Sequence, residues 1–332
     1  MIHTFGTLRQ LSGMILASLF MATGLSGCGG ERSPEDSPHI LFIAGAPSHG
    51  FGNHEHLGGS TLLARTLERS DADITTQVVS GWPRDASLLE EADAIIIYSN
   101  GGTQHPALDH LDELESVLED GTGFVTLHYA VEVPTGDAGE VFLKGNGGYF
   151  ETHWSVNPIW TADIEQLPTH PIRNGVDPFT LHDEWYYHMR FSDDPIQPIL
   201  TALPPPETLE REDGPHSNNP HVREAVLERK EPQHLAWAFE RPSGGRGFGF
   251  TGGHYHWNWG VDHVQRLVAN AILWSAGVPV PEKGVSVEPM NVLELAALTD
   301  DPIPEDWNWR EIQQQLDAAN GRVTDLDVID SR

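Results

Sequence analysis

Imidazoles recur in this sequence directly behind short apolar runs. His49, His54 and His56 follow "HILFIAGA", His105 follows "ADAIIIYSN" within "GGTQHP", His128 closes "FVTLH", and His254 and His256 follow "GRGFGFTGG". A neutral imidazole acts as acid, base or metal ligand near pH 7. Carboxylates join them in "HDEWYYHMR", where Asp183 and Glu184 stand among rings and near His188. A partly buried carboxyl group can be tuned toward neutral pH and used for general acid/base work. His128, Glu184 and Asp183 are therefore the candidate catalytic groups. The competing reading of the two acids is structural, as caps on neighbouring backbone groups.

The metal-ligand reading has no single motif behind it. There is no H-E-x-x-H, and "HEH" puts His54 and His56 on one side of an extended segment but is too short to specify a metal. A site assembled across loops, with His49, His105 and His254 as ligands beside His128, would suit zinc or a similar divalent ion. No nucleotide cofactor is expected. The rings Trp185, Tyr186, Trp257 and Trp259 offer flat faces of the sort a sugar packs against, while histidines such as His153 and His256 meet its hydroxyls. Tyr186, His256, Trp257, Trp259 and His153 are thus the candidate substrate contacts. In "HYHWNWG" the rings and the imidazoles alternate, so an extended segment would pack rings on one side and present imidazoles on the other.

The elements that must position these groups follow the order strand, helix, strand. "HILFIAGA" is a continuous apolar run, as in a strand buried on both faces of a parallel sheet. "STLLARTLERS" reads as a helix, "DITTQVVS" and "ADAIIIYSN" as strands, and the leucines at 108, 111, 114 and 118 as a helical stripe leading through "GTG" to the strand "FVTLH". "HLAWAFE" and "GRGFGFTGG" read as two further strands before the amphipathic helix "DHVQRLVANAILWSAG". This is the pattern of an α/β fold with a doubly wound, mostly parallel sheet. In such a sheet the carboxyl ends of the strands share one edge, where ligands bind, and all seven histidines named first fall at those ends. The rhythm fails across 131–233, which reads as an elaborated insertion capping one end of the sheet. Residues 282–332 read as an acidic, proline-punctuated, extended tail.

Length and charge narrow the function classes. A chain of 332 residues can bury a sizeable core. Its 49 acidic against 19 basic side chains, a formal net charge of -30, would repel a phosphate backbone and argue against nucleic acid as a partner. Residues 1–27 have the form of an export signal, with an apolar run shorter than the roughly 20 residues a membrane-spanning helix needs. The run ends in "LSGC", which resembles the lipobox of bacterial lipoproteins, with Cys28 as the lipidated residue. Cys28 is the only cysteine, so no disulfide forms within the chain. Residues 28–38 then read as a flexible tether. The expectation is an exported protein, lipid-anchored to the bacterial cell membrane on its periplasmic or outer surface.

The turn after "GFVTLH" falls where class I glutamine amidotransferase-like domains carry a nucleophilic cysteine and hydrolases a serine. Here the residue is His128, a poor candidate for acyl-enzyme chemistry. Over Pro38 to Pro281 the chain resembles the ThuA-like (trehalose-utilisation) family, on the blocks "GAPSHGFGNHEH", "GGTQHP", "GFVTLHYAVEVP", "GGYFETHWSVNP", "THPIRNGVDPF", "HDEWYYHMRF", "EPQHLAWAFERPSGGRGFGFTGGHYHWNWG" and "NAILWSAG". The resemblance implies a flavodoxin-like, class I glutamine amidotransferase-like domain without the catalytic cysteine, over 39–281. It also implies a role in sugar metabolism, with 3-keto glucosides among the substrates and a divalent metal in some members. An aromatic block after the last strand and the lipobox depart from a minimal member. The expected function is hydrolysis or elimination on a glycoside, a small-molecule carbohydrate, by acid/base and metal-assisted chemistry; the alternatives are a non-catalytic carbohydrate-binding lipoprotein and an interaction module that has lost its pocket.

Overall fold

The apolar runs become the centre of one sheet. In the computed structural model, which describes residues 37–326, β1 (His39–Ala44), β3 (Ala94–Tyr98) and β4 (Gly123–Leu127) pair in parallel, with Ile40 opposite Ala94 and Ala94 opposite Gly123. Every residue of β3 and β4 is buried, because helices cover both faces of the sheet. That is why their sequences show no polar alternation. β2 (Thr75–Ser80) adds in parallel beside β1, and β11 (Arg246–Phe250) in parallel beside β4. β10 (Gln233–Glu240) and β9 (Ile196–Ala202) close that side as antiparallel neighbours, giving the order β2-β1-β3-β4-β11-β10-β9.

Two apolar layers follow from the alternation of side chains across the strands. On one face Ile40, Phe42 and Val125 pack with Leu63 and Leu67 of α1 (His56–Glu68) and with Leu267 and Val268 of α6 (Asp262–Ser275). On the other, Leu41, Ile43 and Phe124 meet Leu89 of α2 (Ser87–Glu90), Leu114 of α3 (Leu111–Glu119) and Phe142 of α4 (Asp137–Asn146). The fold is thus α/β and doubly wound around a seven-stranded, mostly parallel sheet.

The stretch 131–233 is less separate from the sheet than its irregular rhythm suggests. It holds α4, the short ribbon of β5 (Gly148–Tyr149) with β8 (Arg190–Phe191), the ribbon of β6 (Ile159–Ile164) with β7 (Phe179–Glu184), and α5 (Pro220–Arg223). It also supplies β9, a strand of the main sheet. The expectation of an extended tail over 282–332 is corrected where that tail is described: it folds into α7 (Val292–Ala296) and α8 (Trp309–Asn320). Asn291 accepts from the Leu293 and Glu294 amides at the start of α7, Asn308 caps α8, and Gly321 ends α8 at a φ of 61°. Leu295 and Leu316 sink into the main core, so burial overrides the proline punctuation read from the sequence. Among the described residues no helix is long and apolar enough to cross a membrane. The lipobox, Cys28 and most of the tether lie outside the described residues.

Candidate active site

Four loops meet at the carboxyl edge of the sheet. β1 runs into the segment bearing His49 and His54, β4 ends directly before His128, β11 ends shortly before His254, and β7 delivers Glu184 from the insertion. Sharp turns make the convergence possible. Among the described residues six non-glycine residues have positive φ and five are histidines, including His49 (68°), His54 (50°) and His128 (54°). A left-handed non-glycine residue is sparsely populated and persists where surrounding structure over-determines it. At Gly253, with φ 103°, the turn needs glycine, and it aims two successive amides, those of Gly253 and His254, at one carboxylate.

That carboxylate is Asp183. Its Oδ2 accepts from the Gly253 amide at 2.7 Å, and its Oδ1 from the His254 amide at 3.1 Å and the Glu184 amide at 2.8 Å. Fully buried, Asp183 fixes the two residues on which the site depends. The expectation that it is catalytic is corrected: its oxygens face the backbone, not the cluster.

His54, His128, His254 and Glu184 each bring one ligand atom into a group whose members lie within 4.8 Å of one another. His54 Nε2 stands 2.9 Å from both His128 Nε2 and His254 Nδ1, and Glu184 Oε2 lies 3.2 Å from His254 Nδ1 and 3.5 Å from His128 Nε2. The outer partners decide the tautomers. His128 Nδ1 lies 2.9 Å from the Thr251 carbonyl, which only accepts, so Nδ1 carries the proton and the neutral ring turns a bare Nε2 inward. Ser48 donates its hydroxyl proton to Asn100 Oδ1 at 2.6 Å, so its oxygen accepts from His54 Nδ1 at 3.0 Å and the neutral His54 ring also has a bare Nε2.

Two lone pairs and a carboxylate oxygen therefore face one another with no proton fixed between them. This is the donor arrangement of a cation site, complete with the outer hydrogen bonds that orient metal-binding imidazoles. Four ligands at about 2.0–2.1 Å from a tetrahedral zinc ion stand about 3.3 Å from one another. The four contacts of 2.9 to 3.5 Å bracket that value and all pairs stay within 4.8 Å, so the residues present fit such an ion after small side-chain shifts.

Electrostatics support the same picture. Burial lowers the His54 pKa far below the ordinary imidazole value, and the neighbouring His128 and His254 rings lower it further, so His54 is neutral at pH 7. Burial alone would raise the Glu184 pKa, but the His128 and His254 rings beside it outweigh burial and hold the group at about 2, ionised. Tyr186, fully buried, keeps its proton because burial and the nearby Glu184 charge push its pKa well up; its hydroxyl is 3.3 Å from His128 Nε2. His49 is exposed at the rim, with its ring centroid 4.1 Å from that of His54 and its Nδ1 2.9 Å from Ser48 Oγ. Burial and the neighbouring His254 ring lower its pKa. A second carboxylate–imidazole pair flanks the cluster: His216 Nε2 lies 2.9 Å from Glu132 Oε1, whose hydrogen bond raises the His216 pKa.

The remaining expected contacts disperse. His105 is not part of the cluster: the turn Gly102–Gln104 carries it to the opposite face of the sheet, where it packs on Phe142 and its Nδ1 accepts from the Ala107 amide at 3.1 Å. His54 and Glu184 stand where His49 and His105 were expected beside His128 and His254. Trp259 is buried in the core beneath Tyr98 and offers no face to a ligand. His256 is likewise buried, donating from Nε2 to the Leu295 carbonyl at 3.0 Å. His153 is exposed on a turn, its amide bonded to Pro215, and makes no described contact with the cluster. The alternation expected in "HYHWNWG" stops at Tyr255, because His256–Gly260 forms a 3-10 turn. It survives across one bridge, where Asn53 pairs with Tyr255. There His54 and His254 face the cluster while Asn53 and Tyr255 line a cleft of about 920 Å³ on the other side, together with Trp257. The sequence signal for His54 was the "HEH" pair, whose two members part company because His56 begins α1.

The ThuA family model, described as trehalose utilisation, matches residues 40–275. The chain belongs to the ThuA family. Among curated proteins none matches. Two ThuA-like crystal structures are similar: one from Bacteroides uniformis at 16% identity and TM-score 0.49, covering 75% of this chain and 95% of the other; and one from Parabacteroides merdae at 14% and 0.48, covering 76% and 98%. An exo-β-1,4-mannosidase from Opitutaceae bacterium strain TAV5 aligns at 14% identity and TM-score 0.35, over 73% of this chain and 36% of that one.

Proposed function

We propose that this ThuA-family protein is an enzyme of carbohydrate metabolism that hydrolyses or eliminates the glycosidic bond of a glycoside, with 3-keto glucosides in its range, at the His54–His128–His254–Glu184 cluster. The observation that carries this reading is the pair of bare imidazole nitrogens turned toward each other beside an ionised carboxylate. A divalent ion held there supplies Lewis acidity toward a sugar oxygen or carbonyl. Around it the chain provides the proton inventory. The Tyr186 hydroxyl, kept protonated by burial, donates a hydrogen bond to an oxygen on which charge develops. His49, neutral and exposed at the rim, takes a proton from the ligand and passes it to solvent. Glu184 and His128 hold the charge balance of the site. On its leader the protein belongs outside the cytoplasm, anchored through Cys28.

The test is turnover of a panel of 3-keto glucosides by purified protein, with and without added zinc, beside His128→Ala. Product formed by the wild type and lost in the variant is expected; no turnover on any member under either condition sinks the reading. The second reading, a carbohydrate-binding protein without catalysis, draws on the ring-lined cleft beside the cluster. Saccharide binding with no product at any metal concentration would favour it.

A further inference from the structure

The cleft beside the cluster is built by residues on both sides of the family boundary. Phe51 and Asn53 come from the loop after β1, Tyr255 and Trp257 from the loop after β11, and the opposite wall from the tail, beyond the 40–275 match. Trp307 of that tail stacks on Trp257, centroids 5.2 Å apart at 28°, and meets Phe51 edge-on at 5.1 Å. Helix α8 adds Ile312, Gln315 and Ala318.

The wall is fastened to the loops it faces. Buried Glu55 accepts from the Gly52 amide at 3.0 Å and from the tail's Asp300 amide at 2.9 Å. Asn320 at the end of α8 accepts from the Asp262 amide at 2.8 Å and donates to the Gly260 carbonyl at 2.9 Å. The cleft is therefore pre-formed, and its volume of about 920 Å³ lies within the roughly 300–1,000 Å³ of ligand pockets.

Its chemistry selects the occupant. The lining includes no lysine or arginine, which disfavours phosphate, sulfate or carboxylate ligands, and Asp306 adds to that. The Gln315 carboxamide stands among the rings, with the Oδ1 atoms of Asn53 and Asn258, whose Nδ2 groups donate to the His49 and His182 carbonyls. Amides meeting hydroxyls and rings meeting C–H faces are what an uncharged sugar requires. We propose that this cleft is a subsite for uncharged saccharide units, added to the family domain by the C-terminal segment. The proposal does not rest on the catalytic reading, because the cleft lies across the Asn53–Tyr255 bridge from the cluster.

Tryptophan fluorescence and calorimetry with a panel of neutral gluco-, manno- and galacto-oligosaccharides of two to six units test this, using the mature protein. At least one member is expected to bind and to shift the emission. Trp307→Ala and Ala318→Arg, the latter filling the cleft from an exposed helix position, each weaken binding about ten-fold or more, and Trp307→Phe recovers most of it. Binding persists in His128→Ala, which separates this inference from the catalytic one. No binding by any of the panel, unchanged affinity in Ala318→Arg, or a preference for indole over every saccharide overturns the assignment.

Discussion

His128 Nε2 and His54 Nε2 stand 2.9 Å apart, and each ring directs its only proton away from the other, toward the Thr251 carbonyl and the Ser48 hydroxyl oxygen respectively. Two bare lone pairs at that distance repel unless a cation lies between them. The relationship makes the outer partner of His54 as informative as the ring itself.

Ser48→Ala removes the acceptor that fixes the His54 tautomer while leaving every cluster donor in place. Loss of such an outer partner typically costs about 10–100-fold in metal affinity. Zinc titration against a competing chelator is expected to show about one ion bound by the wild type and a weakening in that range for Ser48→Ala. Equal affinities would mean that Ser48 orients nothing.

Asp183→Asn keeps the size of the side chain but removes a charged acceptor of three amides and turns an amide group toward at least one of them. Leaving a buried donor without its acceptor costs about 1–3 kcal/mol. Urea unfolding is expected to show a loss of about 2–3 kcal/mol, with zinc affinity falling as well because His254 and Glu184 both shift. A catalytic Asp183 would instead give unchanged stability and a lost rate.

Acid destabilises this fold through imidazoles buried without charge. Burial lowers His56 and His105 to a pKa of about 3 and His256 to about 4, from an ordinary 6.5. Each binds its proton less readily folded than unfolded, so below about pH 6.5 the unfolded chain takes up more protons and stability falls as pH falls. At pH 5 each contributes a loss of about 2 kcal/mol relative to pH 7.5. Urea midpoints measured across that window with chelator present should drop steeply, and a flat profile would show that these rings are solvated.

Glu55→Ala releases the clasp between the site loop and the tail, since one carboxylate serves both the Gly52 and the Asp300 amides. Limited proteolysis is expected to cut the variant between α7 and α8 several-fold faster than the wild type, with the central sheet left intact. Equal rates would place the hold on the tail elsewhere, at Asn320 or in the buried Leu295 and Leu316.

Much of this fold is set by local pattern. The continuous apolar runs of β1, β3 and β4 can only be strands covered on both faces, and the leucine stripe of α3 can only pack one side. Histidines behind such strands must fall near the sheet's carboxyl edge, and that much is dictated before folding; the fold then gathers His54, His128, His254 and Glu184 there. Which way each imidazole points is not dictated, because a turn of three residues sends His105 across the sheet while a left-handed backbone at His54 turns that ring inward. The same holds for Asp183 and Glu184: adjacent residues on a strand face opposite sides, and only the position of Gly253 and His254 decides that one side is backbone and the other the cluster. The tail's helices likewise depend on tertiary burial, since Leu295 and Leu316 gain a core that their own segments cannot form. Sequence fixes which chemical groups arrive at the edge; the through-space hydrogen bonds of Thr251, Ser48 and Asp183 decide which of them meet.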